Sequence, residues 1–348
     1  MPLKSVLSRA GLAALAFAAA ALPAMSAEVN VYTYRQPYLI QPLFDAFTKE
    51  TGITVNTIYA SKGLEERIRA EGRNSPADLL ITVDIGRLNQ AREMGITQPI
   101  EDAAIEAAVP AHFRDPAGHW LALSARARVV YASRERVPDS EITYADLADP
   151  KWRGRLCTRS GQHAYTIGLI AAMIAHDGEE KTEKWLVGVR DNLARRPSGN
   201  DRAQVKAIFT GECDIALGNT YYMGQMMTNE KEPEQKEWAA AAKILFPDTK
   251  GRGTHVNVSG AILAKNAPNK AEALKLLEFM VGEEAQHIYA AVNYEYPVNP
   301  KVEASDLVKS FGDGDIHMDE ISLQAVAEAR AAASRMVDRV AFDDGPQS

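Results

Sequence analysis

The sequence predicts an α/β protein built on open, largely parallel sheets and divided into two domains. Three observations carry that reading. Short apolar, β-branched runs alternate with segments of helical periodicity, the pattern of strands covered on both faces by helices. The chain has 348 residues, roughly twice a domain of about 100–200 residues. Its 46% hydrophobic and 24% charged residues, with 23 glycines and 17 prolines, are the proportions of a folded globular protein and exclude a disordered, collagen-like or disulfide-dense chain.

Lys4 and Arg9 make the start basic, Ala10 to Leu22 are almost wholly apolar, and Pro23 leads into Ala24-Met25-Ser26-Ala27. That layout is a secretory signal peptide over residues 1–26, with the cut after Ser26. A membrane anchor is the competing reading, but the apolar run falls short of the ~20 residues a span requires, so no membrane insertion is expected. Lys4 and Arg9 are the leader's only charged residues, so 39 basic residues become 37 against 46 acidic, a net charge of −9. A mildly acidic surface argues against nucleic acid and anionic membranes as partners; it suits a soluble, exported monomer.

After the leader, Val29-Asn30-Val31-Tyr32-Thr33 is rich in β-branched residues and reads as a strand. Arg35-Gln36-Pro37 interrupts it. Apolar positions return at helical spacing at Ile40, Leu43, Phe44 and Phe47, and Gly52 ends that helix. A strand over Ile53 to Tyr59, a helix over Leu64 to Glu71 and the apolar strand Leu79 to Val83 follow, with another helix from Ile85. Open α/β sheets place ligands beyond the carboxyl ends of their strands, so the turns at 34–38, 61–63 and 84–86 are candidate site positions.

His119 to Ser133 reads as extended and carries Arg126 and Arg128 two apart, on one face of a strand. Alternation then resumes with a strand at Arg155–Arg159, helices at Tyr165–Ala175 and Lys181–Arg190, and a helix at Asp201–Phe209 capped by Asn200 or Asp201. Cys213–Leu217 is a short buried strand, and Gly218-Asn219-Thr220 turns from it into a helix begun by Tyr221-Tyr222. A charge-dense loop at Asn229–Glu237 precedes a strand at Ala242–Phe246; His255–Ala264 returns to the first sheet, with a helix at Lys270–Ala290 behind it. The tail Ile321–Val340 is amphipathic, with Leu323, Val326, Ala329, Ala333 and Val337 on one side, and is expected to dock on the second domain rather than on a membrane.

Enzyme signatures are missing: the sequence holds no GxSxG, HExxH, P-loop or post-strand GxGxxG. The seven histidines are scattered, so a histidine zinc site would need assembly from distant segments. Cys157 and Cys213 suit the oxidising periplasm. Paired, they would close a loop of about 56 residues, worth roughly 4 kcal/mol in the chain-entropy account; two unpaired buried thiols are the alternative. CxxC spacing is absent, which removes a redox motif or zinc knuckle. The feature that stands out is Tyr221-Tyr222. Neighbours on a helix project about 100° apart, so both cannot lie in one core stripe, yet at a sheet's carboxyl edge both can reach one cleft.

From Glu28 to about Ala341 the chain resembles the ferric-ion-binding proteins that serve bacterial ABC iron importers, within the periplasmic solute-binding superfamily. The matching stretches are "ITVNTIYASKGLEERIRAEGRNSPADLLITVD", "DLADPKWRGRL", "GNDRAQVKAIFTGECDIALGNTYYMG" and "VNVSGAILAKNAPNKAEALKLLEFM". The resemblance implies a two-lobed, type II periplasmic binding protein fold with a hinge and an interlobe cleft. One lobe would hold residues 27–122 and 251–298, the other 123–250 and 299–348. It also implies ferric iron bound by Tyr221 and Tyr222, with Tyr165 as a third ligand, and an inner-membrane ABC permease as partner.

The chemistry agrees with that implication. Ferric iron is small, hard and highly charged, so it prefers anionic oxygen over thiolate. Phenolate is a basic oxygen donor whose pKa near 10 yields to direct metal coordination. Where many of these proteins carry a His or His-Tyr pair, this chain reads Tyr34-Arg35-Gln36-Pro37-Tyr38, and Val83 stands where some carry Glu. Tyr38 or Tyr34 is then the candidate ligand of the first lobe. The alternative is a synergistic anion such as carbonate, held by Arg35 and Gln36 with Arg126 assisting, because a guanidinium fork suits a planar oxyanion. Arg126 and Arg128 could instead form salt bridges, and His163 is expected beside the ligands rather than among them. Two competing functions are the same fold binding a polyamine, thiamine, sulfate or organic acid, and a periplasmic enzyme using a cleft tyrosine.

Overall fold

This computed structural model describes residues 27–312 and 316–347. The leader read over residues 1–26 lies outside them. Among the described residues nine strands are present: β1 Glu28–Thr33, β2 Thr54–Tyr59, β3 Leu79–Thr82, β4 Thr97–Gln98, β5 Leu121–Ser133, β6 Leu156–Cys157, β7 Ile215–Asn219, β8 Ala242–Leu245 and β9 Val256–Ala264. The first seven α-helices are α1 Pro37–Thr51, α2 Leu64–Glu71, α3 Ile85–Glu93, α4 Ala103–Ala108, α5 Ala164–Asp177, α6 Glu179–Asp191 and α7 Asp201–Phe209. Six more complete the described chain: α8 Thr220–Met227, α9 Glu234–Ala241, α10 Lys270–Val281, α11 Glu283–Asn293, α12 Asp306–Lys309 and α13 Leu323–Arg339.

Local signals explain the first βα unit. Pro37 sits in the first turn of α1, where its fixed φ suits the helix, and Gly52 ends it with φ 72°, in the left-handed region glycine enters freely. The face between them buries Ile40, Leu43, Phe44 and Phe47. β1 lies parallel to both β2 and β3, and β3 runs antiparallel to β9. On the other side β7 lies antiparallel to β5 and parallel to β6, while β8 also pairs with β5.

β5 joins the two halves. Its 13 residues are buried throughout. From Leu121 to Ala127 it pairs with β9; from Arg128 onward it pairs with β7. The chain therefore passes from one lobe to the other along one strand. One apolar core runs from α1 and β1–β3 through β5 to α7, α8 and α9, and a second fills the side of β5 covered by α5, α6 and α13.

Four elements depart from expectation. The helix read over Lys270–Ala290 is two helices, because Gly282 turns extended between α10 and α11. The charge-dense loop before β8 ends in α9, whose first turn holds Glu234 and Glu237 at the favoured pole of the helix dipole. The strand read over Arg155–Arg159 shrinks to Leu156–Cys157. The C-terminal helix α13 packs along α5 as expected but also reaches α3, on the other lobe.

Cys157 and Cys213 are joined in a disulfide, with Cα atoms 5.9 Å apart. It ties β6 to the residues preceding β7 and closes a loop of 56 residues, for which the chain-entropy account gives roughly 4 kcal/mol. Replacing both cysteines with alanine is expected to lower unfolding stability by about 3–4 kcal/mol. Denaturant melts of the oxidised protein and the double variant check it; equal midpoints would refute it.

Candidate metal centre

The site forms where β7 runs into α8. Gly218 has no side chain because none fits: a Cβ there would lie 1.9 Å from the Tyr131 ring. The Tyr131 hydroxyl donates to the Asn219 carbonyl at 2.5 Å, and the Asn219 N–H donates to Asp201 Oδ1 at 3.0 Å. The buried Thr220 accepts from the Ala127 N–H at 3.3 Å. This turn is pinned on three sides, and α8 starts from it with Tyr221 and Tyr222.

The two tyrosines converge. Their ring centroids are 4.2 Å apart with planes tilted by 33°. Tyr165, in the first turn of α5, brings its hydroxyl to 3.2 Å from that of Tyr221. All three rings are half-buried and line one cleft of about 270 Å³. The Tyr165 and Tyr221 hydroxyls share a hydrogen bond at 3.2 Å; two oxygens held by one small octahedral cation, each about 2 Å from it, would also lie about 3 Å apart. Among the described residues no three His, Cys, Asp or Glu side chains gather to hold a metal.

Burial controls the phenols. It raises Tyr221 well above the ordinary value, helped by the neighbouring phenols of Tyr165 and Tyr222. It pushes Tyr222 up to about 12, with Tyr165 and the Asp201 carboxylate acting in the same direction. Both are therefore protonated at neutral pH and can give up protons to a cation. His163 caps α5, its Nδ1 accepting the Tyr165 N–H at 3.2 Å, and its ring stands edge-on to Tyr165 at 4.6 Å. An accepting Nδ1 needs a neutral ring; burial and the Arg159 charge bring His163 down to about 4 and keep it so. It orients Tyr165, with its Nδ1 already engaged.

The opposite wall comes from the first lobe and carries the remaining candidates. Tyr34 lines the cleft, but its hydroxyl donates to the Glu65 carboxylate and accepts the Leu64 N–H at 2.7 Å. Its oxygen is already committed. Tyr38 also lines the cleft and is 66% exposed at its rim, near the exposed Gln36. Arg35 is 3% exposed and ion-paired with Glu295 at 2.6 Å, while donating to Ser259 at 2.7 Å. Its charge is balanced from within the protein.

Arg126 differs. It is buried, donates to Ser259 Oγ at 3.1 Å and to the Val83 carbonyl, and has no acidic partner among the described residues. Its strand neighbour Arg128 forms the salt bridge left open by the sequence, to Asp201 at 2.6 Å, and Asp201 also pairs with Arg159. The cap of α7 is Asn200, which accepts from the Ala203 N–H.

Sequence reasoning missed Arg202, Gln225 and Asn293, which also line the cleft. Arg202 lies over the Tyr222 ring at 5.0 Å and donates to Gln225, again with no acidic partner among the described residues. The signal available was its place in the first turn of α7, whose start points toward the turn before α8. Asn293 sits at the end of α11, 1% exposed, with neither amide atom hydrogen-bonded.

Two lobes joined by a shared strand, with polar side chains from both facing one cleft, are the build of a solute-binding protein. The chain belongs to the bacterial extracellular solute-binding protein family, which matches residues 32–287. It is 44% identical over 322 residues to iron uptake protein A1 of Synechocystis, covering 92% of this chain and 89% of that one. Among solved structures, a Bordetella ferric binding protein superposes with a TM-score of 0.86 at 50% identity, covering 91% of this chain and 99% of its own. A Trichodesmium protein in complex with iron and citrate ligands gives a TM-score of 0.86 at 42% identity, covering 90% and 99%.

Proposed function

We propose that the chain is the periplasmic substrate-binding component of an ABC iron importer, capturing ferric iron through the phenolates of Tyr165, Tyr221 and Tyr222 and delivering it to an inner-membrane permease. The observation that carries the reading is the meeting of those three rings at one point, with the Tyr165 and Tyr221 oxygens 3.2 Å apart. The names of the similar proteins support iron as the cargo. Iron is here the transported substrate, and capture, closure and release involve no covalent change, so no enzymatic activity is assigned.

The lobes are those read from the sequence, 27–122 with 251–298 and 123–250 with 299–348; the switch of β5 from β9 to β7 after Ala127 supports a boundary close to that position. Closure about β5, the strand shared by both lobes, gives a permease a loaded shape to recognise. Three phenolates neutralise the ion's three charges and leave coordination positions open. A small oxyanion such as carbonate fills them, with Arg126 as its main cation, because that guanidinium alone among the three arginines proposed or paired on this strand and turn lacks a carboxylate. Gln36 and Arg35 stand at the same wall. The citrate bound with iron in the Trichodesmium complex supports a carboxylate or carbonate oxygen in this role.

The test is titration of metal-free protein with ferric salt, with and without bicarbonate. A red-purple phenolate-to-iron band saturating at one equivalent, stronger with bicarbonate, is the expected result. A colourless titration with no iron uptake would refute the reading in favour of a small organic ligand on the same fold.

A further inference from the structure

A contact on the far side of the ligands crosses from one lobe to the other. Arg330 lies midway along α13, which packs on both α5 and α3. Its guanidinium faces the Asp84 carboxylate as a fork, Nη2 to Oδ1 at 3.1 Å and Nη1 to Oδ2 at 3.5 Å. Asp84 is 4% exposed and follows Val83, whose carbonyl receives Arg126. It caps α3 by accepting from the Gly86 N–H at 2.9 Å and takes the Asn257 amide at 2.8 Å. The same Nη1 of Arg330 donates to the Ala164 carbonyl at 3.4 Å, one residue before Tyr165.

The fit is close. A Cβ on Gly86 would come 2.3 Å from Arg330 Nε and 2.8 Å from Asp84 Oδ1, so the ion pair sits against a position that carries no side chain. A second hydrogen bond from the same helix, Gln324 Nε2 to Asn89 Oδ1 at 3.0 Å, reaches α3 one turn away. Arg330 thus touches the end of β3 on one lobe and the first turn of the helix carrying Tyr165 on the other. Forked guanidinium–carboxylate pairs are strong and directional, and separating a buried one leaves a charge uncompensated.

We propose that Arg330 is an interlobe positioning residue: joined to Asp84 on one side and to Ala164 on the other, it holds the lobes closed and Tyr165 against Tyr221, and so sets how fast the cargo leaves. The release rate rests on the iron reading; the effect on lobe closure does not.

The experiment compares Arg330→Gln, which removes the charge, with Gly86→Ala, which displaces the guanidinium while keeping both charges. Arg339→Gln is the control, since the exposed Arg339, on the same helix as Arg330, pairs with Glu183 of α6 within one lobe. Small-angle scattering of the metal-free proteins reads lobe opening, and transfer of bound iron to excess chelator reads release. We expect both test variants to open the metal-free protein and to release iron about tenfold faster, equal to about 1.4 kcal/mol, with Arg339→Gln at wild-type values. Wild-type scattering and release in both test variants, or the same change in the control, would overturn the proposal. If wild-type protein took up no iron, the iron reading would fall and the scattering comparison alone would decide this one.

Discussion

Substituting phenylalanine for both Tyr221 and Tyr222 is expected to remove ferric binding while the protein stays folded. The change deletes two oxygens and keeps the stacked rings, whose centroids are 4.2 Å apart. The Tyr221 hydroxyl bonds to Tyr165, so its loss breaks a hydrogen bond worth only about 1 kcal/mol to the fold. Iron affinity answers to a different quantity. Losing an outer partner of a metal ligand costs about 10–100-fold, and losing two anionic ligands of a trivalent ion should exceed about 10⁴-fold. Competition against a chelator measures it, with thermal melting as the control for folding. A double variant that keeps its colour and affinity would end the phenolate reading.

Acidification is the second large effect. In the metal-free protein burial holds Tyr221 well above its ordinary value and Tyr222 at about 12. Both protons are present throughout the neutral range and must leave when iron binds. The sign follows: protons compete with the metal, so affinity rises with pH and falls as pH drops. Each of these two phenolates contributes up to about tenfold per pH unit below its pKa, so together they make up to about 10²-fold per unit. Affinity measured from pH 8 to pH 6, corrected for the chelator's own protonation, should show a slope of two or more. A slope near zero would exclude phenolates as the ligands.

Part of the candidate site is legible because its chemistry is local in sequence. Tyr221 and Tyr222 announce themselves by adjacency after a strand-ending Gly-Asn-Thr, where two neighbours on a helix cannot share one core stripe. Tyr165 was not legible that way; a lone tyrosine at a helix start is ordinary, and only the resemblance singled it out. The first lobe's wall depends on contacts that no local pattern encodes. Local sequence reads Arg35 as an anion-binding residue, and its partner Glu295 lies 260 residues away. It reads Tyr34 as a possible ligand, and the acceptor of its hydroxyl, Glu65, lies on another element. The strands and helices of residues 27–90 are readable because apolar period and helix boundaries agree there, at the Gly52 stop and at the Asp84 N-cap. The break at Gly282 is not, since the apolar spacing continues across it.

The passage of β5 through both halves also limits how the gene can be divided. A fragment ending before Val256 would lack β9, the neighbour of both β3 and β5. It would leave two hydrophobic strands with open backbone edges, a template for association between copies. Neither half is therefore an independent module that could be excised or swapped by joining contiguous coding segments. A chimaera made to exchange the segment carrying Tyr165, Tyr221 and Tyr222 needs two junctions, one in β5 and one between β8 and β9.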